Sequence, residues 1–462
     1  MSTSESAADR DADASIHLHA ELLPNIRQLT LYVSLPAYPD SDPDGNAFHP
    51  QISLSESRRA VTVSLTGPDH EMSETIKLPA RVSEASRASL KFPGHRVSAE
   101  GRNRGDGDGD AGRREFSFRM QVDKDEGQPR VAKEDYVDDF IPWTATDMTP
   151  STGVRCRACG HVVLDPSGPP RPSSDTTAAE GSAQPAPRGW VWKDLPSGNW
   201  AEMMDFWHCH KPHNPEQDHL DQNSEVKGYG AANQVVATPG TVLVDVPSFL
   251  VSEVDCKGLK KSQQKPPAAP SPTARGTSLE CEGCSALVGT EDITARGWRL
   301  FKATLSVRRF PNASTHAEGE ADDESTWETQ PTEAIVGAQL LEMIEREGVR
   351  RFVLHCGEKD GLLLWIFNPD LRYSSSSAHH SITAQRAMKI FMQPVSNIES
   401  LLDPEQGKGQ SISLEELFLP ASIFAEVGLA LRRSNEILPA SARRFREWEV
   451  TFLSRFEALS TQ

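Results

Sequence analysis

Two pairs of cysteines, each with two residues between them, constrain this chain more than any other feature of its sequence. Cys156 and Cys159 form the first pair, and Cys281 and Cys284 form the second. Two intervening residues let a tight turn direct both sulfur atoms at one ion, and zinc takes four thiolates in a closed tetrahedral site. The long separation between the pairs adds little, because loop-closure entropy grows only logarithmically with loop length. The spacing therefore predicts a structural zinc site that stabilises the fold and takes no part in catalysis.

Redox-active pairs and buried free thiols are the alternative interpretations of these cysteines. A thioredoxin-like pair opens a helix within a βαβ unit. Here each pair is instead followed by strand-like residues, at 162–164 and 286–288. That order is typical of a zinc ribbon that carries a large insertion, so the zinc interpretation is preferred.

The charge and hydropathy pattern narrows the classes of partner. The 462 residues carry a formal net charge of -18, whereas a free-standing nucleic-acid binder usually presents a basic face. Protein partners are therefore expected and direct nucleic-acid binding is not.

No run approaches the roughly 20 apolar residues of a membrane helix, and the first 15 residues lack the apolar core of a signal peptide. We expect a cytoplasmic and nuclear protein with no membrane partner, in which paired cysteines bind metal and do not form disulfides.

Alternating apolar residues predict an antiparallel sheet or sandwich in the first third of the chain. A period of two is what a half-buried strand requires. It occurs at Leu29, Leu31, Val33 and Leu35, at Val61, Val63 and Leu65, at Phe116, Phe118, Met120 and Val122, and briefly at Ile76 and Leu78. Residues 99–114, rich in Gly, Asp and Arg, predict a disordered loop inside this sheet.

The last third predicts a mixed block that ends in helices. Apolar residues over 335–344 share one face of a helix that Gly348 closes. Buried strands are expected at 349–356, 362–367 and 387–393. Ser413 and Glu416 form a capping box that would open another helix. Pro439 would begin a final helix, with one face formed by Phe445, Trp448, Phe452 and Phe456.

Together these patterns predict an α+β protein. An N-terminal antiparallel β-sheet or sandwich would precede a zinc-knuckle middle with long insertions and a C-terminal mixed α/β block ending in helices. The expected divisions are a disordered tail at 1–15, a β-rich domain at 16–150, a zinc-knuckle region at 151–300 and a C-terminal α+β region at 301–462. Stretches rich in Pro, Ser, Ala or Lys predict linkers at 165–188 and 257–277.

A dense group of metal-binding residue types lies between the two cysteine pairs. It comprises His208, Cys209, His210 and His213 and directly follows Trp207, and we expect these five residues to bind a partner. Adjacent side chains of an extended segment point to opposite sides, so Cys209 and His210 are poorly placed to hold one ion together. They can instead touch two ions about 3.5–4 Å apart, the spacing of a binuclear site. Three interpretations stay open: a packed turn with partly exposed histidines, a second internal zinc site completed by distant ligands, and a loop presented to the metal centre or surface of a partner protein.

Several segments, taken in this order, resemble the HECT-like family of proteins that bind ubiquitin-conjugating enzymes. The first is the Cys156 pair, and the second is the segment 199–213, which contains Asn-Trp and Trp-His-Cys-His. The third is the Cys281 pair, followed by Gly-Trp-Arg-Leu-Phe-Lys at 297–302. The last two are the segment 362–373 and the dipeptide Leu-Pro at 438–439, ahead of Arg-Glu-Trp at 446–448. Each segment is weak by itself. The series, which runs from about Trp143 to the C-terminus, is fairly specific.

The resemblance implies a ubiquitin-protein ligase, or a ligase adaptor, that binds a ubiquitin-conjugating enzyme and promotes transfer of ubiquitin. It also implies an alternative, a non-enzymatic binding or assembly factor for the metallo-β-lactamase-type endonuclease of mRNA 3′-end cleavage. In that role Cys209 and His210 would be presented to the two zinc ions of the endonuclease.

The cysteines depart from those of a true HECT ligase, which carries a nucleophilic cysteine close to its C-terminus. The last cysteine in this chain is Cys356. With four cysteines on zinc, only Cys209, Cys256 and Cys356 remain. Cys356 follows His355 but ends an apolar strand, and Cys256 has no obvious base nearby, so no catalytic residue is predicted.

Overall fold

Strands account for most of the regular structure of this protein. The computed structural model describes residues 15–36, 50–66, 71–90, 95–96, 114–124, 140–169, 188–195, 235–262, 276–309, 326–377, 384–402 and 413–457. The predicted tail at 1–15 and the predicted loop at 99–114 lie almost entirely outside these ranges. The α+β class is confirmed. No helix within the described ranges is long and apolar enough to span a membrane.

The described residues form strands β1 to β23 and helices α1 to α4, numbered in chain order. The strands are β1 (His17–Leu23), β2 (Gln28–Leu35), β3 (Pro50–Leu54), β4 (Ala60–Thr66), β5 (Glu71–Lys77), β6 (His95–Arg96), β7 (Arg114–Gln121), β8 (Gly153–Cys156), β9 (Val162–Leu164), β10 (Val191–Asp194), β11 (Thr241–Val244), β12 (Ser248–Val251), β13 (Leu259–Lys261), β14 (Ser278–Cys281), β15 (Leu287–Asp292), β16 (Gly297–Phe301), β17 (Leu305–Arg308), β18 (Arg351–His355), β19 (Gly361–Ser375), β20 (Gln385–Val395), β21 (Glu415–Phe418), β22 (Arg444–Phe445) and β23 (Trp448–Ser454). The helices are α1 (Ser86–Ser89), α2 (Thr332–Glu347), α3 (Glu399–Leu402) and α4 (Ala421–Ile437).

The chain divides into two units that are not consecutive in sequence. The first unit contains the described residues up to 124 together with 350–355 and 359–457. The second contains the described residues of 140–349 together with 356–358. Strands from the predicted β-rich domain and from the predicted C-terminal region thus belong to the same unit.

A ten-stranded sheet forms the first unit, in the order β22-β23-β20-β19-β1-β2-β7-β6, with β18 pairing with both β19 and β21. Strand β1 runs antiparallel to β2 and to β19, with His19 opposite Ser375. The N- and C-terminal parts of the chain are therefore joined by main-chain hydrogen bonds at the centre of this sheet.

One face of this sheet packs against the three-stranded sheet β3-β4-β5. The alternating residues of β2, β4 and β7 supply the shared core, and these predicted strands are confirmed. Fully buried members of the core are Leu18, Leu29, Leu31, Val33, Leu35, Val61, Val63 and Ile76.

Helix α4 packs on the C-terminal part of the ten-stranded sheet. Gly428 of α4 faces Leu362 of β19. At the end of the helix, Asn435 Nδ2 donates to the carbonyl oxygens of Arg443 and Val450, at 2.9 and 2.8 Å. The Ser434 hydroxyl accepts a hydrogen bond from the amide of Phe452 at 2.8 Å. Polar side chains of the last helical turn thus fix the β22–β23 hairpin to the helix.

The predicted final helix from Pro439 to Phe456 is wrong. The segment contains a short 3₁₀ turn, Ala440–Ala442, followed by β22 and β23. Strand β23 pairs with β20 over Met392↔Glu449 to Ala387↔Ser454. Trp448, Val450 and Phe452 also follow the two-residue period of a strand, and aromatic and β-branched residues favour strands. The segment therefore fits both a helical and a strand pattern, and its pairing with β20 selects the strand.

The capping box predicted at Ser413 and Glu416 is also wrong. Glu416 lies in β21, which pairs in parallel with β18. The helix instead begins at Ala421, after Pro420. By contrast, α2 follows the predicted pattern and ends at Gly348, whose φ of 68° is the left-handed geometry that favours glycine.

The second unit combines a seven-stranded sheet, β10-β11-β12-β16-β15-β14-β13, with the three-stranded sheet β17-β8-β9. Their common core contains Trp143, Phe249, Leu300, Leu305 and Val307. Residues 170–187 of the first predicted linker and 263–275 of the second lie outside the described ranges. Within the second, Leu259–Lys261 forms β13 and pairs with β14, so this part of the predicted linker is a strand.

Candidate metal centre

Each cysteine pair lies in a turn between two antiparallel strands. Cys156 ends β8, before β9, and Cys281 ends β14, before β15. The Cys156 amide donates to the carbonyl of His161 at 2.8 Å, and the Cys281 amide donates to that of Ala286 at 2.9 Å. The two turns therefore have the same main-chain hydrogen bonding and form a matched pair of knuckles.

The residue after the second cysteine of each knuckle has a left-handed backbone. Gly160 has a φ of 74° and Ser285 a φ of 58°. Their amides donate back to the carbonyls of Cys156 and Cys281, at 2.9 and 2.8 Å. Glycine accepts this geometry without strain, whereas a side chain costs about 1–2 kcal/mol there. The second knuckle thus adopts the same turn with a less suitable residue.

The four sulfur atoms come together in one cluster. Cys156 Sγ lies 3.8 Å from Cys284 Sγ, and Cys159 Sγ lies 3.6 Å from Cys281 Sγ. All four sulfurs are within 4.8 Å of one another. A tetrahedral ion with arms of about 2.3 Å requires sulfur separations of about 3.8 Å, whereas a disulfide requires about 2.05 Å. The geometry is compatible with a four-thiolate metal site.

The cluster has an inner and an outer half. Cys156 and Cys281 are buried in the core of the second unit, whereas Cys159 and Cys284 are exposed. Burial raises the pKa of the Cys156 thiol to about 12, while the amide of Ala286 lowers the pKa of Cys284. A bound cation would stabilise all four as thiolates and reverse the effect of burial.

A single segment links the two knuckles. The Lys257 amide donates to the carbonyl of Val163 at 2.9 Å, and the Glu282 amide donates to that of Gly258 at 2.8 Å. Gly258 has a φ of 61°, and a Cβ atom there would lie 2.0 Å from Nε2 of His161. Residues 257–258 therefore fit closely between the first and second knuckles.

Comparison with known proteins identifies the family of this chain. The family described as HECT-like ubiquitin-conjugating enzyme (E2)-binding matches residues 21–450. The chain belongs to that family.

The relatives of this HECT-like protein are distant. An uncharacterised protein of Saccharomyces cerevisiae is 23% identical over 266 residues, 57% of this chain and 63% of the yeast protein. An uncharacterised protein of Schizosaccharomyces pombe is 23% identical over 325 residues, 68% of this chain and 78% of its own length. A Mus musculus protein named as an E3 ubiquitin-protein ligase is 25% identical over 285 residues, 56% of this chain and 64% of the mouse protein. The matches to the budding-yeast and mouse proteins thus span less than two thirds of their lengths. No solved structure matches.

The other described cysteines of this HECT-like protein have little access to solvent. Cys256 is partly buried, its Sγ donates to the carbonyl of Ser252 at 3.7 Å, and burial raises its pKa. Cys356 is 8% exposed. A nucleophilic thiol needs to be exposed, and neither of these two residues is.

The Trp-His-Cys-His segment lies outside the described residues. This applies to Trp207, His208, Cys209, His210 and His213. Their role in partner binding, and the alternative role with the mRNA 3′-end endonuclease, stay predictions.

Lys302 is a buried residue that the sequence did not single out as special. Its side chain is 0% exposed. Its Nζ donates to the carbonyl of Pro142 at 2.8 Å and lies 5.3 Å from the centre of the Phe249 ring. Burial lowers the pKa of Lys302 to about 7. The available signal was its place at the end of the family-like segment 297–302.

Proposed function

We propose that this protein is a ubiquitin-protein ligase or ligase adaptor that binds a ubiquitin-conjugating enzyme charged with ubiquitin and promotes transfer without a thioester of its own. The family match over residues 21–450 carries this proposal. The name of the mouse relative, an E3 ubiquitin-protein ligase, supports it. The chain spans 64% of the length of that mouse protein.

The environment of the described cysteines supports the non-covalent route. Transthioesterification needs an accessible thiolate. Cys356 is almost fully buried, and Cys256 is partly buried with a raised pKa. A ligase that works by scaffolding instead needs a docking surface on a stably folded protein.

We propose that a structural zinc ion stabilises the fold. Cys156, Cys159, Cys281 and Cys284 would hold it, because their sulfur separations fit a tetrahedral site. Four protein thiolates leave no open coordination position for a substrate. The metal would therefore stabilise the second unit.

A single-turnover discharge assay tests the proposed function. Each member of a panel of ubiquitin-conjugating enzymes is loaded with fluorescent ubiquitin and mixed with the full chain and free lysine. We expect faster loss of the thioester for at least one enzyme and no reducible ubiquitin adduct on this chain. Alanine variants at Cys209, Cys256 and Cys356 should each discharge at the rate of the unmodified protein.

The assay separates the two parts of the proposal. A reducible adduct that disappears in one alanine variant would identify a covalent nucleophile and contradict the scaffolding route. Unchanged discharge with every enzyme of the panel would contradict the ligase or adaptor function itself.

A further inference from the structure

Five aromatic rings form one continuous cluster on strands β19, β20, β22 and β23. Phe391 stacks on Phe367, with ring centres 4.9 Å apart, and on Phe445, at 5.2 Å. Trp365 meets Phe367, Phe391 and Trp448 edge to face, at 6.0, 5.2 and 6.0 Å. We call these five residues the aromatic cluster.

The cluster is anchored on the inside and exposed on the outside. Phe391 and Trp448 are 5% and 9% exposed, whereas Phe367 and Phe445 are 46% and 45% exposed. Exposed aromatic rings next to buried ones are typical anchors of protein interfaces. Because the inner rings hold the outer ones in place, a partner would lose little side-chain entropy on binding here.

Two arginines border the aromatic cluster. The Arg351 guanidinium lies 5.2 Å from the Trp365 ring, and that of Arg446 lies 5.5 Å from the Phe445 ring. Neither forms an ion pair with a described carboxylate, in a chain with 66 acidic and 48 basic residues. Unpaired positive charge on an acidic protein indicates an acidic partner surface.

We infer that the aromatic cluster, with Arg351 and Arg446, is the surface that docks the ubiquitin-conjugating enzyme, through an apolar side chain flanked by carboxylates. This inference rests on the proposed function. The rings and arginines all lie within the matched residues 21–450, and the arginines complement an acidic partner.

Single-stranded nucleic acid is the competing ligand, because aromatic rings interleaved with arginine also bind bases. Two observations disfavour it. The rings are already stacked on one another and on arginine side chains. The net charge of -18 repels a phosphate backbone.

Substitution of the exposed rings tests the inference. The double variant Phe367→Ala, Phe445→Ala should weaken binding of the enzyme that is active in the discharge assay at least tenfold. Arg446→Glu should also weaken binding several-fold and leave the core untouched, since Arg446 is exposed. Binding is measured by isothermal titration with the full chain, and thermal melting confirms that each variant is folded.

Matched controls lie on α4. Gly428 of this helix faces Leu362, and side chains of neighbouring strand residues point to opposite faces; Trp365 and Phe367 therefore face away from α4. Leu429 is 42% exposed, close to the exposure of the two phenylalanines, and Arg433 is exposed. Leu429→Ala and Arg433→Glu should keep the affinity of the unmodified protein.

The outcomes distinguish this inference from the proposed function. If the ring variants bind as tightly as the unmodified protein, which still discharges the enzyme, the docking surface is elsewhere and the proposed function stands. If the unmodified protein binds no enzyme of the panel, both fail. A fluorescent single-stranded RNA of 20 nucleotides is titrated in parallel. Loss of RNA binding in the ring variants, with enzyme affinity unchanged, would overturn the inference in favour of nucleic acid.

Discussion

Lys302 places an amino group where water does not reach it. This group contacts the carbonyl of Pro142 and the face of Phe249. Burial lowers the pKa of Lys302 to about 7, and the carboxylates of Asp245, Asp194 and Asp147 oppose that shift. An ordinary lysine in an unfolded chain has a pKa of about 10.4. The unfolded state therefore binds one more proton than the folded state between about pH 7 and 10.

This difference predicts a pH dependence of stability that a single substitution removes. Where the unfolded state binds more protons, the free energy of unfolding rises with pH, by at most about 1.4 kcal/mol per pH unit for one group. Lys302→Met lacks this contribution. We therefore compare the free energy of unfolding of Lys302→Met with that of the unmodified protein. The variant should be less stable relative to the unmodified protein at pH 9.5 than at pH 7, as measured by urea unfolding at both pH values.

The control for Lys302→Met is the same substitution at the exposed residue Lys260. It removes the same amino group from an exposed position, where the side chain is not buried. A relative stability of Lys302→Met that is the same at both pH values would mean that Lys302 is charged in the folded protein throughout this range.

At the scale of the element, the two knuckles offer a comparison within one molecule. They share their hydrogen bonds but differ at the left-handed position, where Gly160 stands in one and Ser285 in the other. We expect Ser285→Gly to stabilise the metal-loaded protein by up to about 1 kcal/mol and Gly160→Ala to destabilise it by about 1 kcal/mol. Denaturant unfolding with excess zinc measures both.

The glycine at the end of α2 is the control for these turns. Gly348 also has a left-handed backbone, and a Cβ atom there would meet nothing within 4 Å. At Gly160 the nearest atom, Arg155 Nη1, would be 3.6 Å away, an ordinary contact. Gly348→Ala and Gly160→Ala should therefore cost the same. A much larger loss at Gly160 would show that the substitution disturbs the cysteines and not only the backbone.

Local periodicity predicted the elements that carry one unambiguous pattern. The strands of Leu29–Leu35 and Val61–Leu65, and the helix ending at Gly348, are where the sequence placed them. The C-terminal segment failed because it satisfies two periods at once. Phe445, Trp448 and Phe452 fit a helix, but Trp448, Val450 and Phe452 fit a strand, and pairing with β20 decided the outcome.

At the scale of the molecule, the sequence predicted chemistry better than topology. The cysteine spacing predicted that distant segments meet, because one ion needs four ligands, and the four sulfur atoms do lie together. Nothing comparable marks the pairing of β1 with β19, which joins residues such as His19 and Ser375. Alternation shows which face of a strand is buried but not which strand lies beside it. For the same reason the sequence did not indicate the aromatic cluster, whose members come from three separate segments.

Metal removal should act on the second unit as a whole. The knuckles hold β8 and β9 of one sheet and β14 and β15 of the other, and β13 pairs with β14 beside the second knuckle. Two of the four thiols are buried in the core that these sheets share. Without a cation, burial favours the neutral form of the Cys156 thiol, and only the main-chain hydrogen bonds of residues 257–258 would link the knuckles. Structural zinc sites contribute several kcal/mol to folding, so we expect complete chelation to lower the melting temperature by roughly 10 °C or more.

Hydrogen exchange locates this effect and a variant separates it from side effects of the chelator. Amides of β8, β9, β14 and β15 should lose protection on chelation, whereas those of β2 and β4, in the other unit, should lose little. Cys159→Ser removes a ligand that is exposed, so it opens no cavity in the core. This variant should melt as the chelated protein does and should no longer respond to chelator. An unchanged melting temperature, in protein shown by elemental analysis to be free of zinc, would mean that main-chain pairing and the apolar core hold the second unit together without the metal.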